Sequence, residues 1–242
     1  GEFIGRAGFI FPEFIRRDAP DGHMIPEDVA AKLIDFRRGF RFNSMDQGFT
    51  DETVIGYHWV SPQGMMVTYD SFALTNATPT EFMQRLRASE DPYGGYRKPL
   101  DEVYGDPAMW QVDKGSGVPP AMKFIRSGWN LRPAPRFPFQ DRVQALRRLL
   151  LQPEDSEYAN YMIVEHRAPK LASQLGTLTD DHLNTGGKGF KDTVDCHATD
   201  MLLYAVMIAH PELPTEIKSD DTVIPEEAEL TIPMPGSEPV DP

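Results

Sequence analysis

The stretch 39-GFRFNSMDQGFTDETVIGYHWVSPQGMMVTYDSFAL-74 decides the fold. Its opening, 39-GFRFNSMDQG-48, reads as a strand running into a glycine turn. The β-rich segment 53-TVIGYHWVS-61 follows, and 62-PQG-64 is a tight turn into a third strand, 65-MMVTYDSFAL-74. Strands this close in sequence pair up and down, so the stretch predicts an antiparallel three-strand meander.

Beyond the meander the pattern changes. Thr78, with Pro79 at the first helical position and Glu81 three residues after the cap, signals a helix over 78–89. A Pro/Gly-rich loop leads to a short strand, 102-EVYGDPAMW-110, stopped by Pro107. The helix 119-PPAMKFIRSG-128 ends at Gly128, and 129-WNLRPAP-135 is strand-like. A basic amphipathic helix, 139-FQDRVQALRRLLL-151, an apolar strand, 161-YMIVEH-166, and a helix, 169-PKLASQLGTL-178, continue the alternation. The Gly/Lys loop 184-NTGGKGFKD-192 precedes a closing helix over 193–209, stopped by Pro211. A meander followed by βα units predicts an α/β fold with a mixed central sheet, antiparallel and then parallel, flanked by helices. Residues 1–38 mix aromatics, Pro20 and Pro26 with a short helical pattern, 27-EDVAAKLIDF-36, and read as an edge or connector rather than core.

The formal charge of −13 argues against a simple basic nucleic-acid binder, but it is unevenly spread. Residues 211–242 hold nine acids against the single Lys218, and seven prolines, so this tail is expected to be extended or disordered. It carries −8 of the total, which leaves room for a local basic surface on the body. Cys196 is the single cysteine, which rules out an internal disulfide and fits a reducing compartment. No stretch has the pattern of a signal peptide or the length of a membrane span, so an intracellular protein with no membrane partner is expected.

Three acids fall at strand ends or a helix mouth. Asp46 closes the first strand of the meander, with Asp51 just behind it. Asp106 closes the strand stopped by Pro107, and Asp200 sits early in the last helix, three residues after His197 and on the same face. Each has an ordinary reading: Asp46 as a turn cap, Asp106 as a strand terminator, Asp195 as a first-turn acid facing the helix dipole, Asp51 as a turn residue. Together, carboxylates from remote segments repel one another unless a cation lies between them, and two or three convergent acids suit Mg²⁺ or Mn²⁺. Two such ions assist phosphodiester cleavage. Arg142, Arg147 and Arg148, with Lys188 and Lys191 in the glycine loop, are candidate phosphate contacts, against the plainer reading of solvated charges. Trp59, Trp110 and Trp129 read as core. Ser116 lacks the nucleophile-elbow context, and no histidine or cysteine spacing suits zinc.

The run 44-SMDQGFTDETVIGYHWVSPQGMMVTYDSF-72 resembles the start of the nuclease domain of tailed-phage large terminase subunits. The stretches 105-GDPAMW-110 and 115-GSGVPPAMKFIRSGW-129 resemble that family's second acidic strand and the helix behind it. The ending 192-DTVDCHATDMLLYAV-206 resembles its Asp-rich, His-containing final helix, and 10-IFPEF-14 its lead-in from the motor domain. The likeness runs in order over roughly residues 8–209. It departs at Gln47, where an aromatic is usual, and after Asp200, where Met-Leu-Leu stands in place of Ala-Leu-Arg.

The resemblance implies a ribonuclease H-like fold and a two-metal endonuclease that cuts concatemeric double-stranded DNA during genome packaging, in the host cytoplasm. It implies Asp46, Asp106 and Asp200 as metal ligands, with Asp195 or His197 completing the set and Asp51 behind it. The chain would then divide into a connector (1–38), a nuclease domain (39–210) and the acidic tail. No P-loop pattern occurs, so the ATPase motor is expected as a separate partner, along with the portal and the small terminase subunit. Two other accounts remain: a resolvase- or integrase-like nuclease on the same fold, and a catalytically silent module docking on portal or capsid through its tail.

Overall fold

Successive side chains on a strand point to opposite faces, so the meander must present two surfaces for burial. The computed structural model describes residues 8–48, 52–88, 102–112, 115 and 117–212. Asp51, Ser116 and the tail from 213 to 242 lie outside the described residues.

The elements run β1 (Met24–Ile25), α1 (Glu27–Leu33), β2 (Phe40–Asp46), β3 (Glu52–Val60), β4 (Met66–Thr75) and α2 (Pro79–Ala88). Then come β5 (Val103–Gly105), a 3-10 turn (Pro107–Trp110), α3 (Pro120–Arg126), β6 (Leu131–Pro133) and α4 (Phe139–Leu150). β7 (Tyr161–Val164), α5 (Pro169–Thr177), a short 3-10 turn (Asp180–His182) and α6 (His197–Ala209) complete them. One sheet takes the order β1-β7-β4-β3-β2-β5-β6. β3 pairs antiparallel with both β2 and β4, and every other pairing is parallel. This is the expected mixed α/β sheet, with β3 alone running against the rest.

Both faces are covered. Phe42, Val54 and Met66 point into an apolar cluster with α4, α5 and α6. Met45, Ile55, Tyr57 and Val67 point to the other side, against α1, α2 and α3. Trp59 and Trp129 are buried in this second cluster and Trp110 packs against it, as the core reading expected. Among the described residues, no helix is long and apolar enough to cross a membrane.

Two elements differ from their sequence reading. The lead-in supplies an edge strand, Met24–Ile25 beside β7, as read, but it also enters the core, where Phe11 and Phe14 are buried in the first cluster. Arg147 forks onto Glu13, with Nε–Oε1 at 2.8 Å and Nη2–Oε1 at 2.5 Å, so it ties this segment to α4. The closing helix begins at His197 rather than 193. Asp195 is therefore not a first-turn acid, because its carboxylate is drawn off toward Lys170 (2.8 Å) and Gln174 (3.1 Å). The missing cap comes from another helix: Gln174 Oε1 on α5 accepts from the Thr199 amide at 2.9 Å and from its hydroxyl at 3.2 Å.

α6 is apolar nearly all round, with Met201, Leu202, Leu203, Ala205, Val206 and Met207 buried, which is the pattern of a core helix. Gly56 on β3 lets it settle onto the sheet, since a Cβ there would collide with Met201 Sδ and stand 2.8 Å from His58 Nε2. A buried polar chain then fixes its height. Ser44 Oγ donates to the Met201 carbonyl at 2.9 Å and lies 2.8 Å from His58 Nε2. His58 Nδ1 lies 3.0 Å from Thr68 Oγ1, which lies 2.7 Å from the Tyr161 hydroxyl. One pattern of donors satisfies every link: Tyr161 O–H to Thr68, Thr68 O–H to His58 Nδ1, His58 Nε2–H to Ser44, and Ser44 O–H to Met201. It requires a neutral imidazole, and burial drives His58 down to about 3.

The sign of the pH effect follows. Between about 3 and 6.5 the unfolded chain binds a proton at His58 that the folded chain does not, so this contribution to stability falls as the pH falls. Urea unfolding of wild type and His58→Gln tests it. The wild-type advantage is expected to shrink by about 2 kcal/mol between pH 7 and pH 5. An advantage that stays constant over that range would mean the imidazole is not held neutral.

Candidate active site

β2 and β5 run parallel side by side, with Met45 opposite Gly105. The next residue on each strand is an acid, so Asp46 and Asp106 emerge at neighbouring carboxyl ends, where adjacent strands stand about 4.8 Å apart. Asp106 also caps the following turn, its Oδ1 accepting from the Ala108 amide at 2.8 Å. The first turn of α6 brings His197 and Asp200 to the same end of the sheet. His197 Nδ1 lies 2.6 Å from Asp46 Oδ2, joining residues 151 positions apart. Chain segments separated by most of the domain thus place Asp46, Asp106, His197 and Asp200 together.

The three carboxylates sense one another. Burial raises the Asp200 carboxyl to about 7, and the charges of Asp46 and Asp106 push the same way. Among the described residues its side-chain hydrogen-bond partner is a thiol, Cys196 Sγ, at 3.4 Å from Oδ2. Burial likewise raises Asp46, helped by the charge of Asp106, while the bond to His197 opposes it. That same bond raises His197. The bond thus favours a charged pair, protonated imidazole on ionised carboxylate, against the burial that disfavours it. The Arg142 guanidinium opposes the repulsion, lowering both Asp46 and Asp200. Among the described residues, no three His, Cys, Asp or Glu side chains close around a single point as they would around a bound ion.

Clefts flank the cluster on two sides. One, of about 340 Å³, is lined by Glu52, Lys170, Asp195 and His197 among others. Lys170 bridges Glu52 and Asp195 there, so Asp195 stands beside the cluster already paired with a cation. The other, of about 300 Å³, lies between Asp106, Arg142 and Tyr204. Of the candidate phosphate contacts, Arg142 reaches the site. Lys188 is exposed on the glycine loop, and Lys191 donates to the Asp181 carbonyl. Lys170, Gln174 and Tyr204 were not singled out from sequence. Lys170 and Gln174 lie four apart on one helix, a spacing that marks a shared face but not what that face meets.

The order of the sheet and its lone antiparallel strand are those of a mixed α/β fold that solved large-terminase nuclease domains share. Among solved structures, the chain is similar to the P22 large terminase nuclease domain, with a TM-score of 0.57 at 11% identity over 84% of this chain and 92% of that one. It is also similar to the large terminase of a thermophilic bacteriophage, with a TM-score of 0.57 at 14% identity over 83% of this chain. That second match spans 44% of the longer thermophilic-phage protein. No protein-family model matches the chain, and no curated protein does.

Carbon-13 spectra of the side-chain carboxyls, recorded without divalent cations, test the electrostatics. Asp200 is expected to titrate near 7, lower in Asp46→Asn and higher in Arg142→Gln. A wild-type Asp200 that titrates in the ordinary carboxylate range would show that the acids do not share one buried environment.

Proposed function

We propose that this chain is a metal-dependent endonuclease that hydrolyses phosphodiester bonds of double-stranded viral DNA during genome packaging, making the cuts that begin and end the filling of a head. The observation that carries this reading is the convergence of Asp46, Asp106 and Asp200, from three remote segments, on one end of a terminase-like sheet. The setting that goes with it is the phage packaging machinery in the host cytoplasm, with DNA, a motor domain, the portal and the small terminase subunit as partners.

The donor set fits Mg²⁺ or Mn²⁺. The three side chains supply hard oxygen donors, and the half-buried Asp200 carboxylate has a thiol as its side-chain hydrogen-bond partner among the described residues. Their mutual repulsion is the condition a divalent cation offsets. When bound, such ions activate water and stabilise charge on the leaving oxygen. Asp46, Asp106 and Asp200 would hold them, with Asp195 at the margin unless Lys170 releases it. His197 orients Asp46 through the 2.6 Å bond and keeps a proton at Nδ1. Asp51 stands in this reading as a group behind the ligands, and Lys188, Lys191 and Arg142 as contacts to the DNA backbone.

Supercoiled plasmid incubated with the protein is the direct test. Nicking and linearisation are expected with Mn²⁺ or Mg²⁺ and not with EDTA. Asp46→Asn and Asp106→Asn are each expected to lose about 100-fold or more while keeping the wild-type fold by circular dichroism, since even outer-shell changes at metal sites cost 10–100-fold. Undiminished cutting by either variant would remove the acids from the chemistry. Equal preference for branched and linear duplex is expected, and strong preference for branched DNA would favour a resolvase-like enzyme instead.

A further inference from the structure

Arg142 is held in an unusual way for a surface-helix arginine. Its Cζ lies 4.7 Å from the Tyr204 ring centroid and 5.6 Å from that of Phe139, so two aromatic rings clamp the guanidinium. Its Nε and Nη1 are enclosed and have no hydrogen-bond partner among the described residues. Its charge acts on Asp46 and Asp200, yet no carboxylate among the described residues forms an ion pair with it. Enclosed N–H groups without acceptors are rare in folded proteins, and each calls for an explanation.

The cleft beside it supplies the explanation. Its roughly 300 Å³ are lined by Asp106, Gln111, Arg136, Phe137, Arg142 and Tyr204, so a second guanidinium faces the same space. The cleft opens directly onto Asp106. A ligand with tetrahedral, negatively charged oxygens would satisfy the planar fork of an arginine, and a lysine ammonium could not reproduce the stacked geometry. We propose that this cleft is a phosphate-binding subsite, in which Arg142, clamped between Phe139 and Tyr204 and assisted by Arg136, seats a backbone phosphate of the nucleic acid next to the acid cluster. The proposal rests on the nuclease reading for its substrate class but not for its geometry. It also explains how a centre with three carboxylates admits a polyanion: one wall attracts the phosphate that the other repels.

Two measurements test it, neither of which reads cleavage. In nitrogen-15 spectra of arginine Nε–H groups, the Arg142 resonance is identified by its loss in Arg142→Lys, and it is expected to shift when inorganic phosphate is added to wild type. In anisotropy titrations of a short duplex, run in EDTA and again with Ca²⁺, Arg142→Gln is expected to bind more weakly. The slope of log K against log salt should also shallow by about 0.9, the signature of one lost phosphate contact. Arg142→Lys should recover the slope but not the affinity, which a merely structural arginine would not produce. A silent Nε resonance, or a wild-type salt slope in Arg142→Gln, overturns the subsite. A shift with phosphate but no change in duplex binding overturns its assignment to nucleic acid and leaves only a small-anion site. If these results hold while the plasmid stays intact under Mn²⁺, the nuclease reading fails and the subsite stands; the reverse pattern sinks the subsite alone.

Discussion

Like charges held close at one end of the sheet set the terms for everything around them. Asp46, Asp106 and Asp200 repel one another across the carboxyl end of β2 and β5, and the fold acts as the restraint. The restraint is mainly apolar: α6 is buried along most of its length against the sheet, α4 and α5. It is sharpened by polar contacts at two levels. The chain from Tyr161 through Thr68, His58 and Ser44 ends on the Met201 carbonyl, one residue beyond Asp200. The side chain of Gln174 caps the same helix from α5. Ser44 and Asp46 lie two apart on one strand and so share a face, which makes the buried chain a foundation for the cluster above it.

Around this negative centre the positive groups are placed unequally. Lys170 is spent on Glu52 and Asp195, Lys191 on a loop carbonyl and Arg147 on Glu13. Arg142 is stacked rather than paired. A chain with a formal charge of −13 thus keeps, among its described residues, a cationic side chain directed at its own acids without an ion pair to them. Net charge says little about such a surface, because what a ligand meets is the local field.

The meander and the alternation after it were legible because each rests on a local rule. Period-two patterning marked β2, β3 and β4, and prolines marked the starts or stops of α2, α3, α5 and β5. Ordered resemblance to the terminase nuclease then tied the acids together. Other features were not legible because they depend on partners distant in sequence. Nothing near 193–196 announces that Asp195 will be drawn to Lys170, or that a glutamine from α5 will supply the cap that delays α6 to His197. The aromatic-rich lead-in reads as an edge or connector rather than core because its partners, β7 and α4, lie more than 120 residues away. His58 looked like one polar residue in a strand, and only the folded sheet shows it neutral and bonded on both ring nitrogens.

A crystal grown without divalent cations, soaked in Mn²⁺ and measured for anomalous scattering, puts the central claim to its most direct test. Peaks lying between Asp46, Asp106 and Asp200, with the carboxylates drawn in around them, are the expected result. Manganese found only at other surfaces, with these three side chains facing apart, would contradict the account.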